Sequence, residues 1–298
     1  MRLVYLGTPQ EAVPPLQALH DAGHDVALVV TRPDRRRGRG GATSPSPVKA
    51  AATELGLPVS HDLDDVTTVG AELGVVVAYG RIIPPEVLEQ LPMVNLHFSL
   101  LPRWRGAAPV ERAILAGDDR TGVCVMRVEE GLDTGDVLSC VEVPIGPRDT
   151  AASLRATLVE VGSRLLVETL EAGLDEATPQ SAEGVTYAEK IGPEDLRLDW
   201  ADPAVQLDRV VRVGGAWTTF RSRRLKVLDA EPLAELDPAG VDPDAARGAA
   251  PGTLVAPTVV RCGDGFLRLT RVQPEGRAAM DAAAWANGAR PAGERFGT

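Results

Sequence analysis

Three short continuous apolar runs open the chain: RLVYLG at Arg2–Gly7, DVALVV at Asp25–Val30 and GVVVAYG at Gly74–Gly80. Runs of this length, rich in Val and Leu and bounded by glycine or polar residues, predict strands buried on both faces. Between the first two, apolar positions at helical spacing from about Glu11 to Ala22 predict a helix. The opening is therefore β–α–β, the unit from which parallel sheets are built. Further helices are expected over about Pro47 to Leu55, in IIPPEVLEQL with prolines at its start, in AAPVERAILAG closed by Gly117, and over about Thr150 to Ala172. MVNLH reads as a strand, and TGVCVMRV and DVLSCVEVPI as an adjacent strand pair with GLDTGD between them.

The pattern loosens from about Ala182 to Pro203, as expected of a linker. After it, AVQLDRVVRV predicts a short helix. RRLKVLDA, GTLVAP, VVRCG and FLRLTRV are strand-like runs separated by Gly and Pro turns, the pattern of a small β-barrel or sandwich. AAMDAAAWANGAR closes the chain as a helix ending in a turn.

Composition narrows the class. The 298 residues are enough for one large domain or two ordinary ones. Aromatics make up only 4%, so the cores are expected to rest on Val, Leu, Ala and Ile. No apolar run approaches the roughly 20 residues of a membrane span. The start, MRLVYLGTPQ, enters a strand at once and has no leader-like core, so a cytoplasmic protein is expected. The three cysteines, Cys124, Cys140 and Cys262, form no C-x-x-C pair. Buried thiols are expected, not a disulfide framework or a zinc knuckle. No second His or Cys stands at ligand spacing from His97, so no metal is expected.

The net charge of −11 argues against indiscriminate nucleic-acid binding. Its distribution changes that picture. Arg32, Arg35, Arg36, Arg37, Arg39 and Lys49 crowd the Pro-, Gly- and Arg-rich loop 31–47 and the residues after it. Arg209, Arg212, Arg221, Arg223, Arg224 and Lys226 crowd a second segment. Two such patches can bind a polyanion with strong salt dependence.

Candidate chemistry centres on NLHFSLLPRWRGAAP, Asn95 to Pro109. At the end of a strand, Asn95 and His97 point to the same side. Asn95 offers an amide N–H, and His97 a group that donates or accepts a proton near neutral pH. Asp133, between glycines on a turn, can complete the set as a carboxylate. With no activated serine or cysteine, this set suits direct acyl transfer to an amine better than a covalent acyl-enzyme. Ser99 reads as a local backbone hydrogen-bonder. Gly7 stands alone before Thr8-Pro9, so neither a dinucleotide fingerprint nor a phosphate loop is present. Arg103 and Arg105 flank Trp104 in the same segment.

These segments resemble the methionyl-tRNA formyltransferases nearly end to end. The likeness is carried by GTP-x-x-A at Gly7 to Ala12, PDRRRGRG, SPVK, VVVAYGRIIP, NLHFSLLPRWRGAAP, RTGV, GLDTGD, YAEKI and the closing WANGAR and RFG. Phe98 departs from it, standing where the family often has glycine, and so do Gln10 and Glu11. The resemblance implies a Rossmann-like formyltransferase domain with a mostly parallel sheet over residues 1–185, a linker over 186–202 and an OB-like barrel that binds tRNA over 203–298. It implies transfer of the formyl group of 10-formyltetrahydrofolate to the α-amine of methionyl initiator tRNA. Asn95, His97 and Asp133 match the family's catalytic residues. Ser99, Leu100, Leu101 and Pro102 match its folate segment, with Gly80, Arg81, Ile82 and Ile83 lining the pterin pocket. Arg39 is the leading tRNA contact, with Arg36, Arg37, Lys49 and Arg212, and the protein is expected to act as a monomer. A sugar-nucleotide N-formyltransferase of the same fold is the alternative.

Overall fold

The computed structural model describes residues 1–36, 43–235 and 243–297. The chain forms two compact units. The first comprises residues 1–112, 119–145 and 153–190, and the second 113–118, 146–152 and 191–298.

In chain order the first half runs β1 (Arg2–Gly7), α1 (Val13–Asp21), β2 (Asp25–Val30), β3 (Arg35–Arg36), β4 (Thr43–Ser44), α2 (Pro47–Glu54), β5 (Val59–Ser60), β6 (Leu73–Val77), α3 (Pro85–Leu88), β7 (Met93–His97), β8 (Arg105–Gly106) and α4 (Pro109–Ala116). Then come β9 (Arg120–Arg127), β10 (Val137–Pro144), α5 (Ala151–Ala172) and β11 (Tyr187–Ala188). The main sheet has seven strands in the order β10-β9-β7-β6-β1-β2-β5. The five from β7 to β5 pair in parallel, while β9 and β10 run antiparallel. Every residue of β6, and every residue of β1 after Arg2, is buried. That is the burial expected of a parallel strand covered on both faces. Full burial of each such Val or Leu is worth about 1.5–3 kcal/mol.

The strand order reverses at β1. Its neighbours are β2, reached through α1, and β6, reached after the chain has passed through β5. Loops at the carboxyl ends of two strands flanking such a reversal diverge and leave a crevice, the usual ligand position in open α/β sheets. Here they are the loops after β1 and β6, joined where Thr8 Oγ1 donates to the Tyr79 carbonyl at 3.3 Å. On the far side of β2, α2 begins after its N-cap Ser46, whose hydroxyl accepts from the Lys49 N–H at 3.0 Å.

The cysteines depart from the sequence expectation. Cys124 on β9 lies directly opposite Cys140 on β10, and the two form a disulfide with a Cα–Cα separation of 4.2 Å. Directly opposed residues of an antiparallel pair come this close, a proximity that depends on strand register and is invisible in the spacing. Cys262 alone is a free thiol, and it is buried.

The second unit continues with α6 (Ala204–Val213), β12 (Trp217–Phe220), β13 (Arg223–Leu233), α7 (Pro243–Gly248), β14 (Leu254–Ala256), β15 (Val259–Arg261), β16 (Phe266–Pro274), β17 (Met280–Asp281) and α8 (Ala282–Ala289). Its strands form an antiparallel sheet in the order β12-β13-β16-β15-β14, with β17 on β16. The core is more aromatic than the composition suggests. Trp200 stacks on Phe296 with centroids 5.2 Å apart, and Phe220 meets Trp285 edge-on at 5.2 Å. The stretch read as a linker is ordered into structure. Ala188 is buried in the first unit, and Leu198 and Trp200 are buried in the second unit's core.

Candidate active site

β7 delivers two polar side chains at the carboxyl end of the parallel sheet. Its neighbours set their height, since Asn95 lies opposite Met126 and His97 opposite Cys124 on β9. Past Arg127 the chain leaves the sheet and turns back at Asp133, which adopts a left-handed φ of 51°. Asp133 thereby faces the strand end. Its Oδ1 lies 3.5 Å from Asn95 Nδ2, and its Oδ2 lies 3.6 Å from His97 Nδ1. The structure thus brings together the three residues singled out in the sequence. The His97 separation exceeds hydrogen-bond range.

The surroundings fix the roles of the ring nitrogens. His97 Nε2 is 2.9 Å from the Trp104 carbonyl, which can only accept, so Nε2 carries a hydrogen. In the neutral ring Nδ1 then presents a lone pair toward Asp133, and a proton entering there would lie between imidazole and carboxylate. Asp133 Oδ2 also accepts from the Gly106 N–H at 2.8 Å. Gly106 has φ 124°, and a Cβ there would stand 2.8 Å from the Ala188 carbonyl oxygen. Only glycine lets β8 lie this close to β11 and still aim its amide at Asp133.

Trp104 is positioned from the other side. Its N–H donates to Thr186 Oγ1 at 2.9 Å, and the Ser99 hydroxyl donates to the Arg103 carbonyl at 2.6 Å. Ser99 is fully buried, a local hydrogen-bonder as its setting suggested. Leu100, Leu101 and Pro102 are half-buried, and the Leu101–Pro102 peptide is cis. Gly80, Arg81 and Ile82, in the loop after β6, are exposed, while the Ile83 side chain packs into the core with Val4 and Leu6. At Ile83 only the backbone is left to line a pocket. Phe98 is half-buried, and Glu11 pairs with Arg155 at 3.4 Å.

The basic residues divide. Arg37 and Arg39 lie outside the described residues. Arg36 pairs through its backbone with Thr43. Lys49 Nζ meets both oxygens of Asp34, at 2.8 and 2.9 Å. Arg212 differs from an exposed phosphate contact. Its side chain is 12% exposed, pairs with Asp208 at 2.7 Å and donates to the Asp149 carbonyl at 2.8 Å. It stands on the inward side of α6, where Asp208, also buried, needs a counter-charge. Arg224, by contrast, is exposed and stacks on Trp217 at 4.3 Å. Sequence reasoning passed over Gln180, Thr186 and Gly106. Gln180 and Thr186 lie in a polar loop with no periodic or motif signal, and only the fold returns that loop to β8.

Among the described residues no group of three or more His, Cys, Asp or Glu side chains is placed to hold a metal ion. No helix among them is long and apolar enough to cross a membrane.

Known proteins share this arrangement of domains. The profile of the formyl transferase family matches residues 1–170, and that of the formyl transferase C-terminal domain matches residues 190–290. A methionyl-tRNA formyltransferase of Roseobacter denitrificans is 47% identical over 97% of this chain and 96% of its own. That of Symbiobacterium thermophilum is 45% identical over 97% of this chain and 92% of its own. In fold, the chain resembles an N-formyltransferase of Helicobacter canadensis solved with folinic acid and dTDP-3-aminofucose (TM-score 0.68, 17% identity, 91% of this chain and 98% of that one). It also resembles HypX of Aquifex aeolicus solved with tetrahydrofolic acid (TM-score 0.64, 20% identity), covering 96% of this chain but about half, 46%, of that one. Both domains and nearly the whole length are matched at high identity, and the chain belongs to the methionyl-tRNA formyltransferase family.

Proposed function

We propose that the chain transfers the formyl group of 10-formyltetrahydrofolate directly to the α-amine of methionyl initiator tRNA, with Asn95, His97 and Asp133 as the catalytic residues. The observation that carries this reading is their convergence within 3.6 Å at the carboxyl end of β7, in a chain of this family. The attacking amine must be neutral, and a free α-amine has a pKa of about 8. Its lone pair forms the new C–N bond as the formyl oxygen takes up the displaced electron pair. The Asn95 amide and a protonated His97 stabilise that oxyanion. Asp133 receives the proton released by the new ammonium group and relays it with His97. The donor nitrogen leaves with a proton as its bond to the formyl carbon breaks.

Folate is held by the exposed loop Gly80 to Ile82, the backbone of Ile83 and the segment Ser99 to Pro102. Catalysis belongs to residues 1–185, with 186–202 leading into 203–298, which contacts tRNA. Arg36, Arg37 and Arg39 meet the acceptor end, with Lys49 at the base of their loop. In the second unit the exposed Arg224 and Lys226 are better placed than Arg212 to meet phosphates, which position tRNA without reading its sequence. The enzyme works as a monomer in the cytoplasm, where its tRNA is charged.

The test is formylation of methionyl initiator tRNA with 10-formyltetrahydrofolate, beside an elongator methionyl-tRNA. Transfer to the initiator alone is expected. Transfer to a nucleotide-linked amino sugar but to neither tRNA would favour the sugar-nucleotide alternative.

A further inference from the structure

Gln180 makes four hydrogen bonds with one amide, and all four lead to the site. Its Nε2 donates to the Asp133 carbonyl at 2.9 Å and to the Gly135 carbonyl at 2.7 Å. Its Oε1 accepts from Arg105 Nε at 3.1 Å and Nη2 at 2.7 Å. Two donors and two acceptor lone pairs are the full capacity of the group. The orientation is settled by chemistry: a flipped amide would set NH2 against a guanidinium and oxygen against two carbonyls.

The two sides of this amide hold different parts of the Asp133 environment. One side grips the backbone of Asp133, a non-glycine residue at positive φ, a conformation that costs roughly 1–3 kcal/mol and persists only where its surroundings enforce it. The other side grips Arg105, the residue before Gly106, whose N–H donates to Asp133 Oδ2 at 2.8 Å. Gln180 therefore ties the turn that carries the carboxylate to the strand that orients it. The Arg105 guanidinium is engaged in that tie, which gives it a structural place beside the site.

We propose that Gln180 is a positioning residue for formyl transfer. It sets the distance between Asp133 and His97 by clamping the Asp133 backbone to β8, and touches no substrate. The proposal rests on the catalytic reading of Asp133 given above.

Gln180→Glu tests it. The carboxylate keeps the size of the side chain and its contact with Arg105 but loses both donors to the Asp133 and Gly135 carbonyls. Misplacement of a catalytic group by about 1 Å costs on the order of 100-fold in rate. Single-turnover formyl transfer to methionyl initiator tRNA should therefore fall by roughly 10- to 100-fold, with KM for tRNA within about two-fold of wild type, since no binding group is touched. The decisive comparison is with Asp133→Asn and with the double variant. If Gln180 acts through Asp133, Gln180→Glu costs little further rate once Asp133→Asn is present. If the two losses multiply in full, or if Gln180→Glu turns over at the wild-type rate, the positioning role is wrong and the catalytic role of Asp133 stands. If Asp133→Asn itself transfers formyl at the wild-type rate, the catalytic reading fails and the positioning role falls with it. Should Gln180→Glu melt well below wild type, Gln180→Met, which removes the donors without adding charge, replaces it in the same cycle.

Discussion

At the scale of single residues, position in the fold decides which polar groups work and which only fill. Asn95 and His97 were legible because period-2 spacing at a strand end places them together, and Asp133 because glycines flank it in a turn. What holds them was not legible. The Trp104 carbonyl that fixes the His97 tautomer and the Gly106 amide on Asp133 are backbone groups, which no residue type announces. The cysteines show the same limit, since the Cys124–Cys140 bond follows from register. Burial pushes the Cys262 thiol up to about 12, so it holds almost no thiolate near neutral pH, and thiolate is the reactive form. Iodoacetamide at pH 8 should leave the native protein unlabelled. After unfolding it should add one group without reductant and three with it. Three groups without reductant would show that the disulfide is absent.

At the scale of elements, the apolar pattern located the strands and helices well, because each is fixed by its own buried face. The predicted helix from about Thr150 to Ala172 is α5, Ala151–Ala172, and the strand Met93–His97 is β7. Near Glu11 the expected single helix instead begins as a short 3-10 turn, Gln10–Ala12, before α1. Pro14 and Pro15 supply no N–H, so they fit the first positions of α1 and not a helix interior. On α6 the charge pattern misleads: Arg212 looks like part of a basic patch, yet its partner is the buried Asp208. Arg212→Ala should lower stability, measured by chemical denaturation, by about 3 kcal/mol, because it leaves that carboxylate with only the longer contact to the exposed Arg148 at 3.6 Å. Weaker use of tRNA with unchanged stability would instead make Arg212 a phosphate contact.

At the scale of the whole molecule, an acidic chain that handles a polyanion has to concentrate its cations. The sequence shows where they concentrate, but not which of them remain available once Lys49, Arg105 and Arg212 have met internal partners. The parallel sheet was readable from continuous apolar runs, and its reversal at β1 emerged only from strand order. The account turns on chemistry performed at the end of β7. Its most direct test is the single-turnover rate of His97→Ala with saturating methionyl initiator tRNA and 10-formyltetrahydrofolate, beside tRNA binding measured separately. The rate should fall by roughly 100- to 10,000-fold, the usual contribution of a positioned acid–base group, with tRNA affinity nearly unchanged. Formyl transfer at the wild-type rate would contradict the mechanism.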